Sequence, residues 1–407
     1  MSGTMIAQAI TILMSPVLSR IFPPDVYGLL ALFLSVTSIL GVIVTFRYEL
    51  AIVLPKEDSD AVNLFSLSFI ITLFVSIISF LFILLFNKSI SLWLGNPDIG
   101  IWLYFVPMCL FLTGLYQSLN YWSNRKKYYK MVAVSKISQS VVTSLTSLGY
   151  GMYIPNVAGL IYSTLFGQAV STTVLAGQNY RELKSFKNEI SINKIKSVGK
   201  KFIDFPKFSV ITALLDTISM QLPIIMITSY FSSYKVGLYS MAFKVLSVPL
   251  SLIGASIAQV FYQKLSDTVN KGENPGKLIY KTWKSLFLQG IIPFSLILIF
   301  GGQLFSLVFG SKWEEAGIMA ATISPLIFAL FISSPTSTAY LVLRMQKIAL
   351  IFPVISIIFR ITSLYIGYHQ NDIILGLRLM VAFEIVQIII SNLIIIKIIK
   401  RFNKISN

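Results

Sequence analysis

The stretch SRIFPPDVYGLLALF, from Ser19 to Phe33, returns in altered form as TSYFSSYKVGLYSMAF, from Thr228 to Phe243. The alignment needs no gaps, and it pairs three identical residues: Phe22 with Phe231, Gly28 with Gly237, and Leu29 with Leu238. Both copies lead from a short polar turn into an apolar run of helical length. Because a repeat distance of about 200 residues is half of the chain, two related halves are predicted.

The composition assigns both halves to a membrane. Hydrophobic residues make up 55% of the 407 residues and charged residues 12%, and the mean hydropathy is +0.78. Ordinary globular domains carry about 25% charged residues. So few polar side chains exclude a soluble enzyme, a disordered tail and a nucleic-acid-binding protein, even though the net charge is +17. The excess of positive charge indicates cytoplasmic loops at the inner leaflet.

Twelve apolar segments are long enough to cross a bilayer as helices. Because an open sheet edge would leave unpaired backbone groups in lipid, the fold class is predicted to be an all-α integral membrane protein. The twelve predicted spans are approximately 3–22, 27–46, 62–86, 101–121, 131–153, 157–177, 207–231, 237–262, 285–309, 315–343, 348–368 and 373–396.

The charges between the spans give the orientation. With the N-terminus inside, the inner connections and the tail hold 25 of the 33 basic residues, whereas the outer connections hold Lys88, Lys235 and Lys312. Both termini are therefore predicted to be cytoplasmic.

The longest polar connection, from Gln178 to Pro206, divides the spans into two sets of six. The predicted domains are an N-terminal lobe 1–180, a basic cytoplasmic linker 181–206 and a C-terminal lobe 207–407. Two further repeat matches support this division: Leu94-Gly95 with Phe309-Gly310, and Arg125 with Arg344, at offsets growing from 209 to 215 and 219 residues. Since six is even, both lobes enter the membrane in the same direction, which predicts parallel repeats around a central cavity.

Cysteine and histidine chemistry is almost absent. Cys109 and His369 are the only residues of their types, so no disulfide framework and no Cys/His metal site is expected. No phosphate-binding, dinucleotide-binding, zinc-protease or serine-hydrolase motif is present. The longest outer connection, Asn87 to Gly100, is too short for a catalytic loop. We therefore expect no enzyme activity and no cofactor.

Ionisable residues inside the predicted spans are the candidate functional residues. Each costs about 2.5–3.5 kcal/mol at a helix centre, so each should face protein or water. The basic residues are Arg20, Lys136, Lys244, Arg360 and Arg378, and the acidic residues are Asp216 and Glu384. The bases are candidates for binding an anionic head group, although Arg20, Lys136 and Arg378 lie near enough to a surface to snorkel. Asp216 and Glu384 are candidates either for ion pairs with those bases or for cation coupling.

Several of these residues lie on polar stripes at helical spacing, which a water-filled cavity would require. Small hydroxyl residues also occur at ordinary helix contacts, which is the alternative. The stripes combine Lys244 with Ser240, Ser247 and Ser251; Lys136 with Gln139, Ser140, Thr143 and Ser147; Arg360 with Ser356 and Ser363; Asp216 with Ser209, Thr212 and Ser219; Glu384 with Gln387 and Ser391; and, in the first span, Thr4, Gln8, Thr11, Ser15 and Ser19. The segment Ser333 to Thr338 predicts a break in span ten, with hydroxyls satisfying the carbonyl that Pro335 frees.

The stretches LSRIFPPDVYGLLALF (Leu18 to Phe33) and FRYELAIVLPKEDSDA (Phe46 to Ala61) resemble the polysaccharide biosynthesis, or O-antigen flippase, family of the multidrug/oligosaccharidyl-lipid/polysaccharide exporter superfamily. The resemblance implies a flippase for sugar units carried on a polyprenyl diphosphate, usually undecaprenyl diphosphate. It further implies two six-helix lobes around a cationic cavity that opens to each side in turn. Arg20 matches the basic position of the family's first-span motif, and Arg47 and Glu49 match its RYELA position.

In the cell, the resemblance implies an inner-membrane, multi-pass flippase acting in O-antigen, lipopolysaccharide or capsule synthesis. Its partners would be the lipid-linked oligosaccharide, membrane lipids and a polysaccharide polymerase with its chain-length machinery. Five intramembrane bases against two acids suit a diphosphate better than a cationic drug. Two rivals remain: a multidrug/cation antiporter of the same fold, and a membrane glycan polymerase.

Overall fold

The computed structural model describes residues 2–271, 274–342, 345, 348 and 351–406, and every regular element among them is helical. The chain divides into two compact units, Met1–Gly237 and Leu238–Asn407. The helices of the first unit are α1 Ser2–Ile21, α2 Pro24–Gly41, α3 Asp58–Trp93, α4 Gly100–Leu103, α5 Val106–Arg125, α6 Tyr129–Tyr153, α7 Val157–Ser185, α8 Ile192–Lys201 and α9 Val210–Tyr230.

Helix α10, Ser233–Pro249, begins in the first unit and continues into the second, where Pro249 is followed by a π-helical turn at Leu250–Gly254. The remaining helices are α11 Ala255–Asn270, α12 Gly276–Phe309, α13 Glu314–Ser333, α14 Ala339–Val342, α15 Ile351–His369 and α16 Ile373–Ser406. The predicted all-α membrane fold is confirmed. Because α9 packs on α2, it belongs to the first unit. The predicted lobe limits at residues 180 and 207 follow the repeat and stay a prediction.

Ten helices of the described chain are long and apolar enough to cross a membrane, or eleven when the bent pair Pro97–Leu103 and Val106–Arg125 is one span. The predicted span 131–153 corresponds to α6, a helix of 25 residues. Its stripe of serine, threonine, glutamine and lysine residues lowers its hydropathy. The chain is a multi-pass membrane protein.

Two boundaries differ from the prediction. Helix α2 ends at Gly41, because the chain then turns and Phe46 and Arg47 take positive φ angles of 49° and 62°, which no helix accommodates. Helix α3 continues to Trp93, so the first half of the predicted outer connection from Asn87 to Gly100 belongs to this helix. Apolar side chains on both sides of Asn87 and Lys88 allow the helix to continue past them.

The internal repeat is visible in the local structure. Helices α3 and α12 contain 36 and 34 residues, and each is followed by a glycine with positive φ and a three-residue 3₁₀-helix. The two glycines, Gly95 with φ 74° and Gly310 with φ 104°, are the only glycines of the described residues with positive φ. A left-handed residue at this point suits glycine. In both repeats, therefore, the long helix is followed by a turn that depends on a glycine with positive φ.

Gly28 and Gly237, the residues paired by the repeat, also lie against each other inside the first unit. A methyl group on Gly28 would collide with the Ser233 carbonyl oxygen, and one on Gly237 would collide with the Pro24 carbonyl oxygen. Pro24 and Ser233 are themselves repeat-equivalent, so the contact is reciprocal. Each added carbon would lie 3.1 Å from the backbone nitrogen of the other glycine. Glycine at both positions lets α2 meet the first turn of α10 at backbone distance.

The break predicted at Ser333 to Thr338 is present. Helix α13 ends at Ser333 and a 3₁₀-helix follows at Pro335–Thr338. The hydroxyls bond backward to the carbonyls of this turn: Thr336 Oγ1 donates to the Ser333 carbonyl at 2.8 Å, and Thr338 Oγ1 to the Pro335 carbonyl at 2.7 Å. Both are carbonyls of the turn itself, whereas Pro335 frees the carbonyl four residues before it, at Phe331. The predicted role of the hydroxyls at that carbonyl stays a prediction.

Candidate functional site

The polar stripes of α1 and α6 meet in the first unit. Lys136 is half-buried on α6, and its Nζ donates to Thr4 Oγ1 on α1 at 3.3 Å. Close packing supports this contact, because Gly3 faces Ala133 with no room for a side chain. The two stripes therefore touch at Lys136 and Thr4, whereas Ser147 of the α6 stripe contacts α7, with its Oγ 2.6 Å from Ser163 Oγ. Arg20 lies at the end of α1 and is exposed.

Two further ionisable residues predicted inside spans are exposed on the described surface of their units. Asp216 lies on α9, one turn after Thr212, whose Oγ1 donates to the Phe208 carbonyl at 3.0 Å. Arg378 lies in the second turn of α16. Exposure leaves both side chains able to reach a ligand or the polar end of a lipid.

Lys244 is exposed in the middle of α10, and the serine stripe runs along the same helix. Ser251 Oγ donates to the Val248 carbonyl at 2.9 Å, so this hydroxyl supports the turn in which α10 passes into the π-helix. The lysine is thus followed by a segment whose backbone bonding differs from that of an ordinary α-helix. Such π-helical turns occur frequently at functional sites.

Arg360 and Glu384 form an ion pair across α15 and α16. The guanidinium contacts the carboxylate at two points, Nε to Oε1 and Nη2 to Oε2, the latter at 3.0 Å. Both side chains are largely withdrawn from solvent, with exposed fractions of 14% and 6%. The two-point geometry is the strongest form of an arginine–carboxylate contact. The sequence left Glu384 as a candidate for an ion pair or for cation coupling, and in the structure it forms an ion pair.

The same two helices carry a second polar contact one turn away. Ser356 Oγ lies 3.0 Å from Gln387 Nε2, which also donates to the Phe352 carbonyl at 3.2 Å. Tyr340 of α14 adds a further contact to α16, with its hydroxyl 2.8 Å from that of Ser391. The predicted stripes of α15 and α16 therefore pack on each other. They form a helix interface instead of lining water, which is the alternative that the sequence left open.

The residues of the RYELA motif form a buried turn after α2. Arg47 Nη1 lies 3.7 Å from Glu49 Oε1, and Thr45 Oγ1 makes a short hydrogen bond to Glu49 Oε2. Glu49 is only 1% exposed. Burial raises the pKa of Glu49, and the Thr45 hydrogen bond and the Arg47 charge oppose this effect. Arg47 stands in the left-handed region, which costs about 1–2 kcal/mol for a residue other than glycine.

This turn is tied to the basic linker. Tyr48, next to Glu49, donates its hydroxyl to the Gly199 carbonyl of α8 at 3.0 Å. Ile195 and Val198 of α8 are buried, and Val198 packs in one apolar cluster with Tyr48 and Trp122. The linker is therefore a docked amphipathic helix, with its lysines on the exposed side.

A charged cluster beside this turn was missed in the sequence. Arg125 Nε donates to Asp58 Oδ1 at 2.9 Å, and its Nη1 donates to the Pro55 carbonyl at 2.7 Å. Lys126 Nζ bridges Asp58 and Glu182 at 2.6 and 2.8 Å. Both carboxylates lie outside the predicted spans, where only the bases entered the prediction of orientation, and the structure places them in α3 and α7. Arg344, the repeat partner of Arg125, lies outside the described residues.

The fold is similar to that of several solved membrane protein structures. An inward-facing multidrug resistance MATE family transporter of the MOP superfamily is 15% identical, with a TM-score of 0.80 over 98% of this chain and 96% of that chain. The lipid II flippase MurJ in an inward closed conformation is 14% identical, with a TM-score of 0.68 over 98% and 90%. A MOP superfamily transporter from Pyrococcus furiosus is 13% identical, with a TM-score of 0.60 over 98% and 94%. The chain has the MOP transporter fold.

The sequence gives the family. A family model described as polysaccharide biosynthesis protein matches residues 17–318, which is 302 of the 407 residues. The chain belongs to the polysaccharide biosynthesis protein family, and the resemblance carried by its first 61 residues is confirmed. A search of the curated proteins finds no match. The chain thus belongs to the polysaccharide biosynthesis protein family and has the fold of MOP superfamily transporters.

Proposed function

We propose that this protein is a flippase that moves polyprenyl-diphosphate-linked oligosaccharide units across a bacterial inner membrane for O-antigen, capsule or a related surface polysaccharide. The observation that carries the proposal is the match of residues 17–318 to the polysaccharide biosynthesis protein family. The fold is also shared with a lipid II flippase, a protein named for a lipid-linked substrate. A polymerase and its chain-length machinery would act on the delivered units.

The charges inside the spans suit an anionic head group. Arg20, Lys244 and Arg378 are exposed basic residues on helices apolar enough to span a membrane. Lys136 is a half-buried base on α6. A diphosphate carries about two negative charges, which would be prohibitive in a low-dielectric cleft without basic partners. These four residues are the proposed contacts for the phosphates, with arginine suited to two-point binding.

Arg360 belongs to the proposed set in a different capacity. Its charge is already balanced by Glu384, and the pair holds the guanidinium at a fixed point between α15 and α16. We propose that it orders these helices or accepts a phosphate only by exchanging partners. Glu384 is correspondingly a poor candidate for cation coupling, because a bound cation would have to displace Arg360.

Transport would proceed by alternating access, with the glycan head crossing between the lobes while the lipid tail stays in the bilayer. The sequence contains no ATP-binding motif, so we propose that an ion gradient, the membrane potential or consumption of the product drives net transport. Arg47 and Glu49 would contribute by fixing the turn that joins α2, α3 and the linker helix α8.

The alternative is a multidrug/cation antiporter, which the TM-score of 0.80 with a MATE transporter supports at the level of fold. A cation carrier would depend on an available carboxylate, and exposed Asp216 is the candidate. It predicts that Asp216→Asn abolishes activity and that expression alters drug susceptibility.

Deletion of the gene separates the candidates. A flippase predicts that the lipid-linked repeat unit accumulates in the inner leaflet, as located by a periplasmic glycan-modifying enzyme that cannot reach it. Accumulation in the outer leaflet would point to a polymerase, and no accumulation together with a changed drug susceptibility would point to the antiporter. Complementation with the intact chain must restore the surface polymer.

A further inference from the structure

An open cleft of about 460 Å³ lies on the second unit between α12, α13 and α16. Its walls are largely apolar, with Phe287, Ile332 and Leu393 among the lining residues. Leu393 is 58% exposed within a helix that is apolar enough to span a membrane, so the cleft is open along an apolar part of that helix. The volume falls in the range of small-molecule sites, about 300–1,000 Å³.

One end of this cleft is basic. Lys284 lines it, and Lys281 precedes Lys284 by three residues on the same face of α12. Lys397 follows the lining residue Ile396 on α16. All three lysines are exposed, and α12 contains no acidic residue in its 34 positions. The cleft therefore joins an apolar trough to an end lined by Lys284, with Lys281 one turn away on the same face of α12.

The wall at this end is fixed in place. Trp283 lines the cleft, and its Nε1 donates to Thr336 Oγ1 at 3.1 Å, in the 3₁₀-helix that follows α13. Asn392 adds an amide to the lining. Tryptophan and lysine side chains are typical of the boundary between hydrocarbon and phospholipid head groups. The cleft therefore has an aromatic residue, Trp283, a polar amide, Asn392, and a basic residue, Lys284, in its lining.

We infer that this cleft is a binding site for one anionic phospholipid, with an acyl chain along Phe287, Ile332 and Leu393 and the phosphate at Lys281 and Lys284. Charge complementarity selects the occupant, because a neutral lipid would leave the positive charge of the lysines unbalanced. A phospholipid phosphate would lie at the level of a membrane surface, where α12 begins. All residues of the cleft belong to the second unit. The inference is therefore separate from the proposed transport of substrate between the lobes.

Native mass spectrometry of the full chain tests the site, with phosphatidylglycerol and phosphatidylcholine of identical acyl chains as probes. We expect tighter binding of phosphatidylglycerol to the wild type. Lys281→Gln/Lys284→Gln should weaken it about 25-fold, since each lysine near an anionic head group contributes about a factor of five. Leu393→Trp should lower occupancy of both lipids by filling the trough without changing charge.

A matched control removes two positive charges elsewhere. Lys187→Gln/Lys196→Gln alters exposed lysines of the first unit and should leave phosphatidylglycerol binding unchanged. Equal loss in this control would show a general charge effect and overturn the site. Equal binding of the two lipids by the wild type, or no loss in either cleft variant, would overturn it as well. So would binding of a polyprenyl phosphate at the cleft with no binding of phosphatidylglycerol, which would assign the cleft to a substrate tail.

Discussion

Arg360 on α15 and Glu384 on α16 are joined by a two-point ion pair inside the second unit. The pair joins a basic residue proposed for substrate binding to a residue that the sequence left between coupling and pairing. It leaves Asp216 as the exposed carboxylate among the two acids predicted within spans. The other basic residues predicted within spans are Arg20, Lys136, Lys244 and Arg378, so the bases still outnumber the acids.

The pair predicts non-additive effects on stability. Breaking a buried ion pair by removing one partner costs about 3–5 kcal/mol, because the other charge is left uncompensated. Arg360→Gln and Glu384→Gln should each lower the unfolding temperature of the detergent-solubilised protein, whereas the double variant should recover most of the loss. Thermal unfolding followed by tryptophan fluorescence measures this. Additive losses in the double variant would mean that the two side chains act independently.

The buried carboxyl group of Glu49 is expected to make the stability of the protein depend on pH. Since burial raises its folded-state pKa above the ordinary 4.5, the folded chain holds this proton more tightly than the unfolded chain. Its contribution to stability is therefore greatest below pH 4.5 and falls as the pH rises through the raised pKa. Glu49→Gln, which cannot ionise, should gain stability relative to the wild type as the pH rises from about 4 to about 7.

The difference in unfolding temperature between Glu49→Gln and the wild type, measured at each pH, isolates this group from all others that titrate. A difference that stays constant would contradict the raised pKa. A difference that moves the opposite way would mean that Arg47 and Thr45 outweigh burial and hold the carboxyl charged.

The contact between Gly28 and Gly237 predicts that neither position accepts a side chain. Gly28→Ala would drive a methyl group into the Ser233 carbonyl, and overpacking of this kind costs about 1–3 kcal/mol. Gly177→Ala is the matched control, because nothing lies within 4 Å of a methyl group there. The control should be neutral or slightly stabilising, since alanine favours a helix interior. Equal unfolding temperatures for the two variants would contradict the reciprocal packing.

The features that depend on local composition could be predicted from the sequence. Hydropathy located the spans, and the repeat identified Gly95 with Gly310, which share a positive φ. The features that the sequence left open or missed depend on which helices are neighbours. Glu384 was a candidate for an ion pair or for coupling, and its partner Arg360 is 24 residues away on another helix. The partner of Arg125, which was missed, is 67 residues away. Stripes on α15 and α16 were visible, but a stripe has the same spacing whether it faces water or another stripe.

Lys244 provides the sharpest test of the transport proposal. It is exposed on a membrane-spanning helix, where its charge is proposed to meet the substrate's diphosphate. Lys244→Gln should reduce surface polysaccharide about tenfold or more in a complemented deletion strain, since a charged hydrogen bond to phosphate contributes about 1.5–3 kcal/mol. Lys244→Arg, which keeps the charge, should retain most of the export.

The control for this experiment is Lys312→Gln, an exposed lysine in the connection between α12 and α13, which should export normally. Membrane insertion of every variant is checked by the amount of protein in the membrane fraction. Normal export by Lys244→Gln at a normal protein level would remove Lys244 from the proposed binding residues. Loss of export in both Lys244→Gln and Lys244→Arg would instead assign the residue a role in packing, because charge alone would not rescue it.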